Sequence, residues 1–218
     1  MKFIPQKYRE SQADWYGKRG ISWHISVVYY RIDKVTHWQA FIHIIQSCSQ
    51  DSYAVVLIMQ DVLATLKSEC EEINNVYFRQ DNAGCYHSAH TILSCPAVAK
   101  SVGMKIVRID FSDPQGGKGA AYRLAATCKA HIRAYINEGH DVVVTAENMK
   151  DALQSCGGIQ GVRVVTMQTI HSSSSDQRKI PNINQLNNFQ FDGESITVWR
   201  SYGIKKKKKV EPVNPLKG

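Results

Sequence analysis

Two runs rich in β-branched and aromatic residues, Ile21–Arg31 (ISWHISVVYYR) and Thr36–Ser47 (THWQAFIHIIQS), stand four residues apart. Side chains that branch at Cβ lose little freedom on a pleated surface, so both runs favour strands over helices. The four residues between them, Ile32-Asp33-Lys34-Val35, carry polar turn formers at their centre, and the pair reads as an antiparallel hairpin. A two-stranded ribbon is marginal alone in water, so the rest of the chain must supply elements that cover it.

Those elements follow in order. Ser52–Cys70 places Val55, Val56, Met59, Val62, Leu63 and Leu66 at helical spacing, with Asp51 or Ser52 as cap. Val76–Phe78 predicts a short strand, a small helical piece is expected around Pro96–Ser101, and Lys105–Phe111 (KIVRIDF) alternates as a strand. A loop over Ser112–Gly119 leads into the longest helical pattern, Ala120–Glu138, which ends at the cap-like Gly139. Thr145–Cys156 predicts a helix, and Val162–Met167 and Ser195–Arg200 predict strands. With Gln12–Tyr16 as a short leading strand, the order is three strands, helix, strand, helix, strand, helix. The expected class is therefore α/β: an RNase H-like mixed sheet, three antiparallel strands and then parallel ones, flanked by helices. Residues 1–170 are expected to form that core, 171–204 a linker with a C-terminal strand or extension, and 205–218 a basic, disordered tail.

At 218 residues and 43% hydrophobic content the chain can bury one sizeable core. Its formal charge is +8, but residues 201–218 hold six Lys and one Glu, so they contribute +5 and leave +3 for the remainder. That balance points to a polyanionic partner such as DNA while placing most of the excess in the tail. Six scattered cysteines without a C-x-x-C pair fit a reduced, intracellular setting. The longest apolar stretch, Ala54–Met59, is far short of the roughly 20 residues that span a bilayer, so no membrane role is expected.

Asp81 follows the strand-like run Val76–Gln80 and precedes Asn82-Ala83-Gly84, a position suited to a metal ligand at a strand end. Composition alone favours an Asx-turn aspartate there. The run Gln80-Asp81-Asn82-Ala83-Gly84-Cys85-Tyr86-His87 resembles the D-N-A-x-x-H segment around the second catalytic aspartate of mariner-type DDE/D transposases. The stretches Asp14–His24 and Phe111–Gly119 extend a resemblance to transposase-derived proteins over Lys7–Gly203. This resemblance implies an RNase H-like fold, DNA as substrate, and Mg2+ or Mn2+ as cofactor. Two such cations about 4 Å apart need several converging carboxylates to grip a phosphate. Asp14 matches the first acid and Asp81 the second.

The resemblance implies a third acid after the Gly-Lys-Gly turn, in the first turn of the long helix and ahead of an Arg. Tyr122 stands there instead, before Arg123. A phenol is neutral at physiological pH and a poor magnesium ligand, so the catalytic set reads as defective. Asp113, 32 residues after Asp81, is the alternative third acid, with Asp110 and Glu138 as weaker substitutes. An active transposase or nuclease and a domesticated, non-enzymatic interaction protein both stay open, as does a fragment of a longer transposase.

Lys18, Arg19, Lys118 and Arg123, with the run Lys205, Lys206, Lys207, Lys208 and Lys209, are the candidate DNA contacts. The lysine run also reads as a nuclear-localisation patch. Gly116-Gly117-Lys118-Gly119 lacks the Ser or Thr and the spacing of a phosphate loop, so no nucleotide cofactor is expected. Cys85, His87, His90 and Cys95 form the only cluster that invites a zinc test. DNA and a second copy of the chain are the partners expected.

Overall fold

The structure is a computed structural model that describes residues 2–3, 20–45, 51–112, 119–140, 142–168, 179–193, 195–203 and 208–210. Its elements run β1 (Lys2–Phe3), β2 (Ile21–Ile32), β3 (Val35–Ile45), α1 (Ser52–Glu69), β4 (Asn75–Gln80), α2 (Ala89–Ser101), β5 (Lys105–Phe111), α3 (Ala120–Asn137), α4 (Ala146–Gln154), β6 (Val162–Met167), β7 (Asn188–Asp192), β8 (Ser195–Trp199) and β9 (Lys208–Val210). The class is mixed α/β. The chain divides into two compact units, residues 1–49 with 118–170, and residues 50–117 with 171–218. Each unit draws on both halves of the chain and closes its own hydrophobic cluster.

The first unit is built on the hairpin. Asp33 and Lys34 both take positive φ, 48° and 65°, the two-residue turn whose twist matches antiparallel strands. Strand order is β1-β2-β3-β6, with β6 parallel to β3. Trp23, Ile25, Ile42 and Ile44 bury one face of this sheet against Ala125, Cys128 and Ile132 of α3 and Met149 and Leu153 of α4. The cap of α4 is reciprocal: Thr145 Oγ1 accepts from the Asn148 N–H at 3.1 Å, and Asn148 Oδ1 accepts from the Thr145 N–H at 3.2 Å.

Gly161 turns the chain into β6 at φ +72°, and a Cβ there would meet the Trp38 ring at 3.2 Å. Gly161→Ala is therefore expected to lower stability by about 1–2 kcal/mol through strain and crowding together. Thermal unfolding checks it, and an unchanged midpoint would show that the indole moves aside without cost.

The second unit is a five-stranded sheet, order β4-β5-β7-β8-β9, with β4 and β5 parallel and the other pairs antiparallel. Val55, Met59 and Leu63 of α1 and Ile92, Leu93 and Val98 of α2 pack with Ile109, Phe189 and Val198 of the sheet. Asp51 caps α1 by accepting from the Ala54 N–H at 2.8 Å.

Three departures from the sequence reading have local causes. Helix α2 begins at Ala89 because Ser88 accepts from the Thr91 N–H at 3.1 Å; Pro96, which reads as a helix start, lies inside it. Strand β7 was not anticipated, and it forms a hairpin with β8 around Gly193 at φ 63°. Lys208–Val210, expected to be disordered, pairs antiparallel with β8. The leading strand Gln12–Tyr16 lies outside the described residues.

Candidate functional site at the Asp81 loop

Strands β4 and β5 run parallel, with Gln80 registered on Phe111, so their carboxyl ends come out side by side. The Gln80 carbonyl accepts from the Ser112 N–H at 3.0 Å and from its hydroxyl at 3.3 Å, tying the two strand exits together. Carboxyl ends of parallel strands are where open α/β sheets place ligand sites. Asp81 is the first residue past β4 and is exposed, and its Oδ1 accepts from the Asn82 N–H at 2.7 Å. The carboxylate thus shapes the turn with one oxygen. The Ala83 carbonyl accepts from the N–H groups of Tyr86 and His87, both at 2.9 Å, and Thr91 Oγ1 donates to the Cys85 carbonyl at 2.8 Å. A short hydrogen-bonded turn therefore connects the exposed aspartate to α2.

The histidine of the same run has the opposite environment. His87 is buried, stacks on Phe111 with centroids 4.2 Å apart, and meets Phe189 edge-on at 5.8 Å. Burial holds its imidazole below the ordinary range, a backbone bond to Leu186 opposing the shift. Burial likewise pushes the Tyr86 phenol and the Cys85 thiol upward, with the Asp81 charge adding a little to each. Cys85 is accordingly a poor thiolate. Cys95, fully buried, donates to the Thr91 carbonyl at 3.1 Å. Among the described residues no group of three or more His, Cys, Asp or Glu is placed to hold a metal ion.

The other sequence candidates fall in three sets. Asp14, Asp113, Lys18, Arg19, Lys118, Lys205, Lys206 and Lys207 lie outside the described residues. Lys208 and Lys209 belong to β9. Tyr122 and Arg123 are exposed in the first turn of α3, whose cap Gly119 makes no side-chain bond and whose first turn holds no acid. Of the substitutes for a third acid, Asp110 is engaged, accepting from Arg108 at 2.9 Å and from Asn188 at 2.6 Å. Glu138 is exposed beside His140 at 3.7 Å.

Sequence reading missed what surrounds Asp110: Arg108, Tyr77, Asn188 and Tyr202, from four separated segments. Only the alternation of Arg108 and Asp110 in KIVRIDF signals an outward face there.

Residues 2–198 match a protein family described as Domain of unknown function (DUF8701). No curated protein and no solved structure matches the chain. Among the described residues no helix is long and apolar enough to cross a membrane.

Proposed function

The chain belongs to the DUF8701 family, and we propose that it is a transposase-derived, RNase H-like protein that binds DNA with a catalytic set that is no longer complete. The observation that carries the reading is the Asp81 loop. An exposed aspartate directly follows β4, whose carboxyl end is tied to that of β5, in the run Asp81-Asn82-Ala83-Gly84-Cys85-Tyr86-His87, whose histidine is buried in the core. Tyr122, half exposed in a helix first turn without an acid, supports the loss of the third ligand. The formal charge of +8 supports a polyanion as partner, and the lysine run 205–209 supports nuclear import.

One observation favours the active alternative. Asp113 is the next residue after Ser112, whose N–H is bonded to the Gln80 carbonyl, and in this alternative it supplies the third acid. In an intact enzyme Asp14, Asp81 and Asp113 would hold Mg2+ or Mn2+, which would activate water and stabilise charge on the scissile phosphate.

Incubation of end-labelled duplex DNA with the protein and Mg2+ or Mn2+ tests the proposal. Salt-sensitive binding without cleavage is the expected result, with Tyr122→Asp gaining nicking that requires Asp81. Cleavage by the wild type that is lost in both Asp81→Ala and Asp113→Ala would establish the active reading instead. Absence of any DNA binding at low salt would remove both.

A further inference from the structure

The five-stranded sheet of the second unit has two unlike faces. On one, Phe78, Ile109, Phe189 and Val198 lie in register and pack with both helices of the unit. The opposite face presents two rows across the strands. Tyr77 pairs with Arg108, Arg108 with Gln190, and Gln190 with Thr197, beside which Lys209 takes the next register position. Arg79 pairs with Asp110, Asp110 with Asn188, and Asn188 with Trp199.

This second face carries aromatic surface in the open. Tyr77 is 62% exposed and Tyr202 50% exposed. The Arg108 guanidinium lies 3.9 Å from the Tyr202 centroid and 5.8 Å from that of Tyr77, while Trp199 meets Tyr202 at 5.1 Å. Asp110 grips Arg108 through two nitrogens, each at 2.9 Å, and is itself held by Asn188 at 2.6 Å. Both nitrogens meet the single oxygen Oδ2 while Asn188 holds Oδ1, which fixes the cation beside the rings. Rings left to fill a core would be covered; these are held in place at the surface.

We infer that this face is a stacking platform for single-stranded DNA, with bases laid on Tyr77 and Tyr202 and the backbone drawn to Arg79 and Lys105. Exposed π-faces on a sheet suit unpaired bases, because a duplex buries its base faces in its own stack. Charge agrees: Arg79 and Lys105 are exposed on the Tyr77 side, whereas Asp110 is neutralised by Arg108 and Asp192 lies at the far end of β7. Gln190 and Thr197 continue the Tyr77–Arg108 row across β7 and β8 as side-chain hydrogen-bonding groups that do not demand one base. The choice of DNA over RNA rests on the function proposed above, and the strand-binding role goes beyond it.

Fluorescence anisotropy with a labelled oligothymidylate of about 15 nucleotides tests the platform, using the whole chain and a Tyr77→Ala, Tyr202→Ala variant. Both rings are exposed, so circular dichroism should show the variant folded. Its affinity for the oligonucleotide is expected to fall about tenfold or more, with duplex affinity unchanged and with Tyr77→Phe, Tyr202→Phe close to the wild type. Equal oligothymidylate affinity in wild type and alanine variant would overturn the platform while leaving duplex binding standing. Tighter binding of oligouridylate than of oligothymidylate would overturn the assignment to DNA. Binding of no nucleic acid by the wild type would overturn both this inference and the function on which it rests.

Discussion

Phe189→Ala is expected to destabilise the second unit by about 3–5 kcal/mol, the range for removing a buried aromatic ring. Phe189 is fully buried at the middle of the five-stranded sheet, registered between Ile109 and Val198. Its ring meets Phe111 edge-on at 5.8 Å, and both rings contact His87. Truncation therefore removes apolar contacts and also opens space beside an imidazole that the core keeps neutral. A cavity there relaxes poorly, because each wall belongs to a hydrogen-bonded strand or to the turn after Asp81. Urea unfolding of the variant beside Tyr77→Ala separates the two faces of the sheet. The exposed substitution should stay within about 0.5 kcal/mol of the wild type. A loss below about 1 kcal/mol for Phe189→Ala would mean that the ring is not part of a packed core.

The same contrast explains which parts of the fold were legible. Each strand or helix with a clear period is found close to its expected bounds: Lys105–Phe111 alternates, and α1 buries Val55, Met59, Val62, Leu63 and Leu66 on one stripe. Periodicity reports which residues share a face and nothing about which strand lies alongside. The distribution of strands over two sheets was therefore not readable, and neither was the pairing of β7 with β5 across 78 residues of chain between Asn188 and Asp110. Pro96 misled because proline favours a helix start, whereas Ser88 and Thr91 had already made the cap.

At the site, Asp81 was legible as a residue past a strand end. The role of His87 was not, since a histidine in sequence gives no sign of whether it faces metal, solvent or a phenylalanine. Tyr77, Arg108 and Tyr202 carry no motif at all. They become a group only when β4, β5 and the segment after β8 are brought together, and long-range juxtaposition of that kind leaves no spacing to read.

Acidification from pH 7 to pH 5 is expected to remove about 2 kcal/mol of stability through His24. His24 faces His43 across β2 and β3, and its Nε2 lies 3.0 Å from Ser26 Oγ. Burial, reinforced by the neighbouring His43, pulls its pKa down to about 3, whereas an unfolded histidine titrates near about 6.5. A depressed histidine is neutral in the folded chain and protonated in the unfolded one over that interval. Its contribution is thus complete above about pH 6.5 and is lost progressively as the pH falls toward 3, at about 1.4 kcal/mol per pH unit. His87, also held low by burial, acts with the same sign. His24→Gln keeps a group able to bond Ser26 and carries no titrating proton, so its stability should change far less between pH 7 and pH 5. Chemical unfolding of both proteins at the two pH values measures the difference, and parallel losses would show that His24 is not held neutral by the fold.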